Sequence, residues 1–292
     1  MITSMSDRPP ISVILATTEP CSDLANCLAV LEPQVSALNG ELIVGDASGV
    51  GQVPQPVAES RCFTLIRRRG ASVFELRARA AEMARGEVIA TTEDHCLVAP
   101  DWCVEILRGF ALHPRALGLM GPVVNGSRRH LIDWANYLHT FGSSLPPYDG
   151  AQRERCPPNA NVAYRRSVFP TGTLPAGWME LELNPRLFRQ GHFVFHESMA
   201  VTHVQSHGFW KTFRAHFDNG RSTTGLHPIR LSRRQLPWNV FRGTLRAMGG
   251  RERHRPEIRA SIPLLFLLSC CHALGETVGI LAGPGRSAAR LR

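Results

Sequence analysis

Lysine is almost missing from this chain of 292 residues: Lys211 is the only one, although the formal net charge is +9. Arginine therefore carries the positive charge, a bias that genome composition can produce. Basicity of that kind does not point to nucleic acid, and no nucleic-acid partner is expected. Paired cysteines are missing as well. The eight cysteines, at positions 21, 27, 62, 96, 103, 156, 270 and 271, form no CxxC pair and no disulfide-like spacing. Free thiols in a reducing compartment are expected. Between Met1 and Pro10 no apolar stretch follows a basic start, so no secretory signal is expected. No glycine-rich phosphate loop follows the first apolar run, and no internal repeat is visible. The uninterrupted apolar run near the C-terminus has about half the twenty residues that a transmembrane helix needs.

What the chain does contain is a regular alternation. Short β-branched runs at 11–15, 42–44, 63–66 and 88–91 read as buried strands. Helical spacing separates them, from Asp23 onward (with Ser22 or Asp23 as N-cap), over 72–84, and again over 101–112. Such alternation implies a layered α/β fold with a mostly parallel sheet. The second half is less regular. Strands are expected at 116–124, 161–164 and 192–195, a short helix at 180–190, and a Gly/Pro/Ser-rich loop over 142–158.

From about residue 231 the character changes. Arg230, Arg233, Arg234, Arg242, Arg246, Arg251, Arg253, Arg255 and Arg259 precede an apolar stretch from Ile262 to Cys271, which His272 and Glu276 interrupt. A polybasic segment beside a short apolar helix fits an interfacial or re-entrant membrane contact; a buried C-terminal helix is the alternative. Two parts follow: 9–230 as a catalytic domain and 231–292 as a basic, apolar C-terminal helical segment.

The strongest chemical signal is Glu93-Asp94-His95, directly after the strand at 88–91 and before Pro100-Asp101-Trp102. Oxygen and nitrogen ligands at the carboxyl end of a buried strand lie where open α/β sheets hold their ligands. A polar loop capping the next helix would have the same composition.

Taken in order, these residues resemble the family 2 glycosyltransferases, from Ile11 to about Arg221. Thr17-Thr18-Glu19 resembles the loop after the family's first strand, with Ala16 where proline is usual. Asp46, ending Leu42-Ile43-Val44-Gly45, matches the acid that receives the nucleobase; turn chemistry is its other role. Arg77 stands at the spacing of the family's Arg-Asn, with Ala78 in place of asparagine and Arg79 as a competitor. Glu93-Asp94-His95 occupies the frame of Asp-x-Asp. Asn161-Val162-Ala163-Tyr164-Arg165-Arg166 resembles the segment beside the donor sugar. Glu180 falls on the acid of the family's Glu-Asp pair, with Met179 replacing its neighbour and Glu182 as understudy. Val201-Thr202-His203 resembles the strand that ends in histidine.

The resemblance implies a GT-A fold, a mixed and mostly parallel sheet flanked by helices, followed here by an amphipathic or apolar helical segment. It also implies inverting transfer from a nucleoside-diphosphate sugar to a hydroxyl of a polysaccharide or lipid-linked glycan. Glu180 would be the catalytic base. Thr17, Glu19, Asp46, Arg77, Glu93, Asp94 and Asn161 would bind the donor, and His95 and His203 a metal. The imidazoles favour Mn²⁺ over Mg²⁺. Arg214 and Arg221 are further candidates for steadying phosphates or acceptor. A cytoplasmic enzyme, peripheral on the inner face of the cell membrane, is expected. A degenerate, membrane-bound binding subunit is the alternative that Ala78, Met179 and the Glu93/His95 pair suggest.

Overall fold

The computed structural model describes residues 8–19, 23–49, 53–148, 156–227, 229–249 and 255–291. Ser22, Arg251 and Arg253 lie outside them; Asp23 takes the N-cap position of the first helix, without a side-chain cap bond.

Apolar strands that are buried from both sides build the centre. β1 (Ile11–Thr17) is buried at every residue, flanked on one side by β2 (Glu41–Asp46) and then β3 (Phe63–Arg67), on the other by β4 (Val88–Thr92). These four strands are parallel. The helices α1 (Leu24–Ala37), α2 (Gln55–Ala58) and α3 (Val73–Met83) lie along the chain between them. Beyond β4 the sheet continues through β8 (Asn161–Arg165), antiparallel to both neighbours, then β6 (Gly118–Met120) and β9 (Phe193–Phe195). The result is a seven-stranded mixed, mostly parallel sheet. Local sequence fixes the start of α3. Ser72 Oγ accepts from the Glu75 amide at 3.2 Å while Glu75 Oε2 accepts from the Ser72 amide at 2.8 Å. This reciprocal cap stabilises the helix that carries Arg77 on its buried side.

A second, three-stranded sheet joins β5 (Cys96–Val98), β10 (Val201–His203) and β7 (Val123–Asn125). The single strand expected over 116–124 is two short strands in different sheets. Pro122 cannot donate a ladder hydrogen bond. At Gly121 a Cβ would lie 2.1 Å from the Met199 carbonyl oxygen, so only glycine lets the chain cross there. The same change of sheet occurs between β4 and β5, and the residues that make it are Glu93, Asp94 and His95.

The helix expected over 180–190 is a π-helical turn, Trp178–Leu183, running into α6 (Asn184–Arg189). Gly177, at φ +77°, sets its entry. α4 (Trp102–Leu112) falls where the sequence puts it, whereas α5 (Leu131–Phe141) and α7 (Phe209–Leu226) were not anticipated. α8 (Pro237–Ala247) leads to α9 (Pro256–Ala282), one continuous helix of 27 residues rather than a half-length piece. Among the described residues it is the one helix long and apolar enough to cross a membrane, by length and composition. It packs on α7, α5 and α8. Glycines make the α7–α9 approach possible: a Cβ on Gly275 would sit 2.1 Å from the Phe217 oxygen, and one on Gly279 2.4 Å from the Arg221 oxygen.

Candidate active site

The carboxyl ends of β1 and β2 set Thr17 opposite Asp46. Both are buried. Thr17 Oγ1 donates to the Glu19 carbonyl oxygen at 3.1 Å, and Asp46 Oδ1 accepts from the Ser48 amide and hydroxyl at 2.8 and 2.5 Å. Turn chemistry thus uses one oxygen of Asp46. The returning C-terminal chain also reaches this edge, because Thr18 Oγ1 donates to the Leu291 carbonyl oxygen at 2.7 Å. The Leu291 side chain joins the apolar cluster of Ala16, Ala47 and Phe74. Glu19 pairs with Lys211 across 3.0 Å at the rim.

One strand further along, α3 and the β4–β5 turn meet. Arg77 is 6% exposed and bridges two carboxylates, Glu93 Oε1 at 3.1 Å and Glu180 Oε1 at 3.2 Å. Burial would lower its pKa, but Glu180 and Glu93 together raise it, so the guanidinium stays charged. The sequence expectation has Arg77 face the nucleotide; in the structure its two terminal nitrogens hold these two acids, while its buried Nε makes no hydrogen bond among the described residues. The competitor Arg79 pairs with Glu82 at the surface. Glu180 Oε2 is buried and makes no hydrogen bond among the described residues. Glu182 is exposed on the same turn.

Glu93, His95 and His203 form a second constellation around the other Glu93 oxygen. His95 Nε2 and His203 Nε2 are 2.9 Å apart, and Glu93 Oε2 lies 3.4 and 3.5 Å from them. His95 Nδ1 faces Asp94 Oδ1 at 2.7 Å. That contact makes Nδ1 the donor and aims Nε2 at the cluster, so Asp94 orients a ligand rather than being one. Burial would lower the His95 pKa, but hydrogen bonds to Asp94 and Glu93 and their charges raise it to about 9. His203 goes the other way, lowered by burial and by the charge of His95 against its hydrogen bond to Glu93. Burial would raise Glu93, yet His203, His95 and Arg77 hold it well below the carboxylate range.

These residues fit a divalent cation. An octahedral ion with bonds of about 2.1 Å sets neighbouring ligands about 3.0 Å apart, and a tetrahedral one about 3.4 Å. Edges of 2.9, 3.4 and 3.5 Å span that range. Two imidazoles and one carboxylate on one face, with the remaining positions open, is a common ligand set for first-row metals. Metal entry would replace the proton that His95 shares with His203. Glu93, expected among the donor-binding residues, belongs to this set.

Asn161, which the sequence resemblance puts beside the donor sugar, makes structural hydrogen bonds. It is buried, with Oδ1 accepting from Trp102 Nε1 at 2.9 Å and Nδ2 donating to the Pro122 and Met199 oxygens at 2.9 and 2.6 Å. Both amide hydrogens and one acceptor site of Oδ1 are committed, so the residue ties α4 to the β6–β7 crossing. Arg165 and Arg166 likewise hold the backbone oxygens of Ala116 and Ala84. Arg221 donates to the Gly283 oxygen at 3.1 Å, closing the end of α9. Arg214 reaches toward Asp218 on its own helix and lines the cavity.

A cavity of about 1000 Å³ opens beside the cluster. Glu19, Glu93, His95 and His203 line it on one side, and residues of α5, α7 (Lys211 among them), α8 and α9 on the other. That helical wall is not legible in the sequence, because its lining residues come from four helices and no local motif marks them.

No family model matches the chain, and no curated protein matches it by sequence. Solved structures do. The mannosyltransferase PcManGT from Pyrobaculum calidifontis, in complex with GDP-Man and Mn²⁺, is 15% identical, with a TM-score of 0.53 over 94% of this chain and 88% of that one. S. aureus TarS 1–349 is 13% identical, with a TM-score of 0.47 over 93% of this chain and 90% of that one. Its complex with UDP-GlcNAc gives 0.48 over the same shares. What the chain shares with the mannosyltransferase is the fold, a mixed and mostly parallel sheet of GT-A type.

Proposed function

We propose that the chain is an inverting family 2 glycosyltransferase that moves a sugar from a nucleoside-diphosphate donor to a hydroxyl of a polysaccharide or lipid-linked glycan. The observation that carries the reading is the triangle of Glu93, His95 and His203 at the junction of the two sheets, with Glu180 held through Arg77. Glu93, His95 and His203 would hold the cation, with Mn²⁺ preferred on its two nitrogen ligands. A bound divalent cation neutralises the leaving diphosphate. Asp94 keeps His95 in the ligating tautomer. Asp46 and Thr17, at the carboxyl ends of β2 and β1, would receive the base, beside the Leu291 segment that bonds Thr18.

Glu180 Oε2, buried without a hydrogen-bond partner among the described residues, suits a hydroxyl donor. In this reading it takes the acceptor proton as the acceptor oxygen attacks the anomeric carbon. The bond from that carbon to the diphosphate oxygen breaks in the same displacement. The product then has the opposite anomeric configuration to the donor. Proton NMR of the anomeric signals during turnover checks this: inversion is expected, and retention contradicts it.

Residues 9–230 are taken as the catalytic part and 231–292 as the part that meets the membrane, although in packing α9 is continuous with α5 and α7. Support for a membrane contact comes from the surface. Trp238 and Phe266 are exposed and cluster with Phe241, and Leu236, Leu267, Leu274 and Leu281 are exposed as well. Exposed Arg233, Arg234, Arg242 and Arg259 lie on the same segment. Aromatic and apolar side chains with arginines suit the headgroup region on the cytoplasmic side.

A further inference from the structure

The helical wall of the cavity carries three histidines that glycosyl transfer does not use. His139 lies on α5, His216 on α7 and His272 on α9; one nitrogen of each falls within 4.8 Å of the other two. His139 and His216 are buried and His272 is partly buried. Their rings cross closely, with centroids 4.4 Å apart for His139–His216 and 5.1 Å for His139–His272. All three line the cavity.

Backbone geometry brings them together. A Cβ on Gly220, one turn after His216, would lie 2.3 Å from the His272 carbonyl oxygen. The Gly275 position meets the Phe217 oxygen just as closely. Glycine on both helices lets α7 and α9 touch backbone to backbone at the histidines. Asn136, one turn before His139, places Oδ1 2.9 Å from His216 Nε2. An amide oxygen can only accept, so that ring nitrogen carries the proton and Nδ1 is left as the ligating atom. On α9, Glu276 Oε1 stands 3.8 Å from His272 Nε2.

We propose that His139, His216 and His272 form a second metal site, of a chemistry that takes Zn²⁺, that clamps α9 to α5 and α7. Three imidazoles without a carboxylate or thiolate ligand suit zinc, and the fourth position is open to the cavity for water. The site differs in chemistry from Glu93–His95–His203, whose carboxylate suits a harder ion, and it stands independently of the glycosyl-transfer reading.

The test uses the full chain with His95→Ala and His203→Ala together, which removes the first cluster. After chelator treatment, Zn²⁺ is titrated against a chromophoric competitor, and melting is followed with and without the metal. One equivalent is expected, with a melting temperature that rises with Zn²⁺ by mass action. Adding His216→Ala, or the milder His272→Gln, is expected to weaken zinc binding about a hundredfold or more. The metal-free melting temperature of each variant distinguishes a lost ligand from a lost fold, and His272→Gln decides if His216→Ala does not fold. No zinc bound in the double variant, or zinc binding indifferent to both added substitutions, overturns the site.

Discussion

Glu180→Gln is expected to lower kcat by about 10²–10⁴-fold, the usual contribution of a positioned general base. Donor affinity should change little, because Glu180 does not belong to the metal cluster. The isosteric amide oxygen can still accept from Arg77, so the fold should survive. Steady-state kinetics with donor and acceptor varied separately checks it. Unchanged kcat would move the base role elsewhere, and Glu182, exposed on the same π-helical turn, would be examined next.

Arg77→Met should be the most damaging substitution for stability. Removing the guanidinium leaves two partly buried carboxylates, Glu93 and Glu180, without their shared, buried partner. Breaking a buried ion pair from one side costs about 3–5 kcal/mol. Lysine keeps a charge but cannot fork to both acids, so Arg77→Lys should recover only part of the loss. Because Arg77 acts through Glu93 and Glu180, the folded fraction of Arg77→Lys should show a lower kcat and weaker metal dependence together. Denaturant unfolding at neutral pH measures the stability term. An Arg77→Met variant as stable as the parent would contradict the bridging role.

The core of this arrangement was legible in the sequence because it depends on strand order. Parallel β1, β2 and β4 are short apolar runs whose carboxyl ends must share one edge, so Asp46 and Glu93-Asp94-His95 could be placed there before any coordinates. Glu180 and His203 are legible through motif order alone; the structure brings Glu180 to Arg77 and His203 to Glu93. Two residues whose surroundings the sequence does not give share a physical cause. Arg77 and Asn161 have side chains that can either face a ligand or satisfy buried partners, and only the packing of α3 against the π-helical turn, or of Trp102 against β8, decides which. Asp94 looked equivalent to Glu93 in sequence; its contact with His95 Nδ1 makes it the orienting acid. The break at Gly121-Pro122 was readable in principle from proline's missing donor, although the crossing to a second sheet was not. The tri-histidine cluster was invisible because its members come from three helices, each contributing one imidazole to an otherwise ordinary face.

The central claim is that the edge carrying Glu93, His95 and His203 binds a nucleoside-diphosphate sugar through a divalent cation. Calorimetric titration of UDP-, GDP- and dTDP-sugars, with and without Mn²⁺, into the parent chain and His203→Ala tests it most directly. The account predicts that at least one donor binds the parent tightly only with Mn²⁺, and that His203→Ala loses that metal-dependent gain. Absence of binding by every donor, or binding indifferent to both Mn²⁺ and His203, would contradict it.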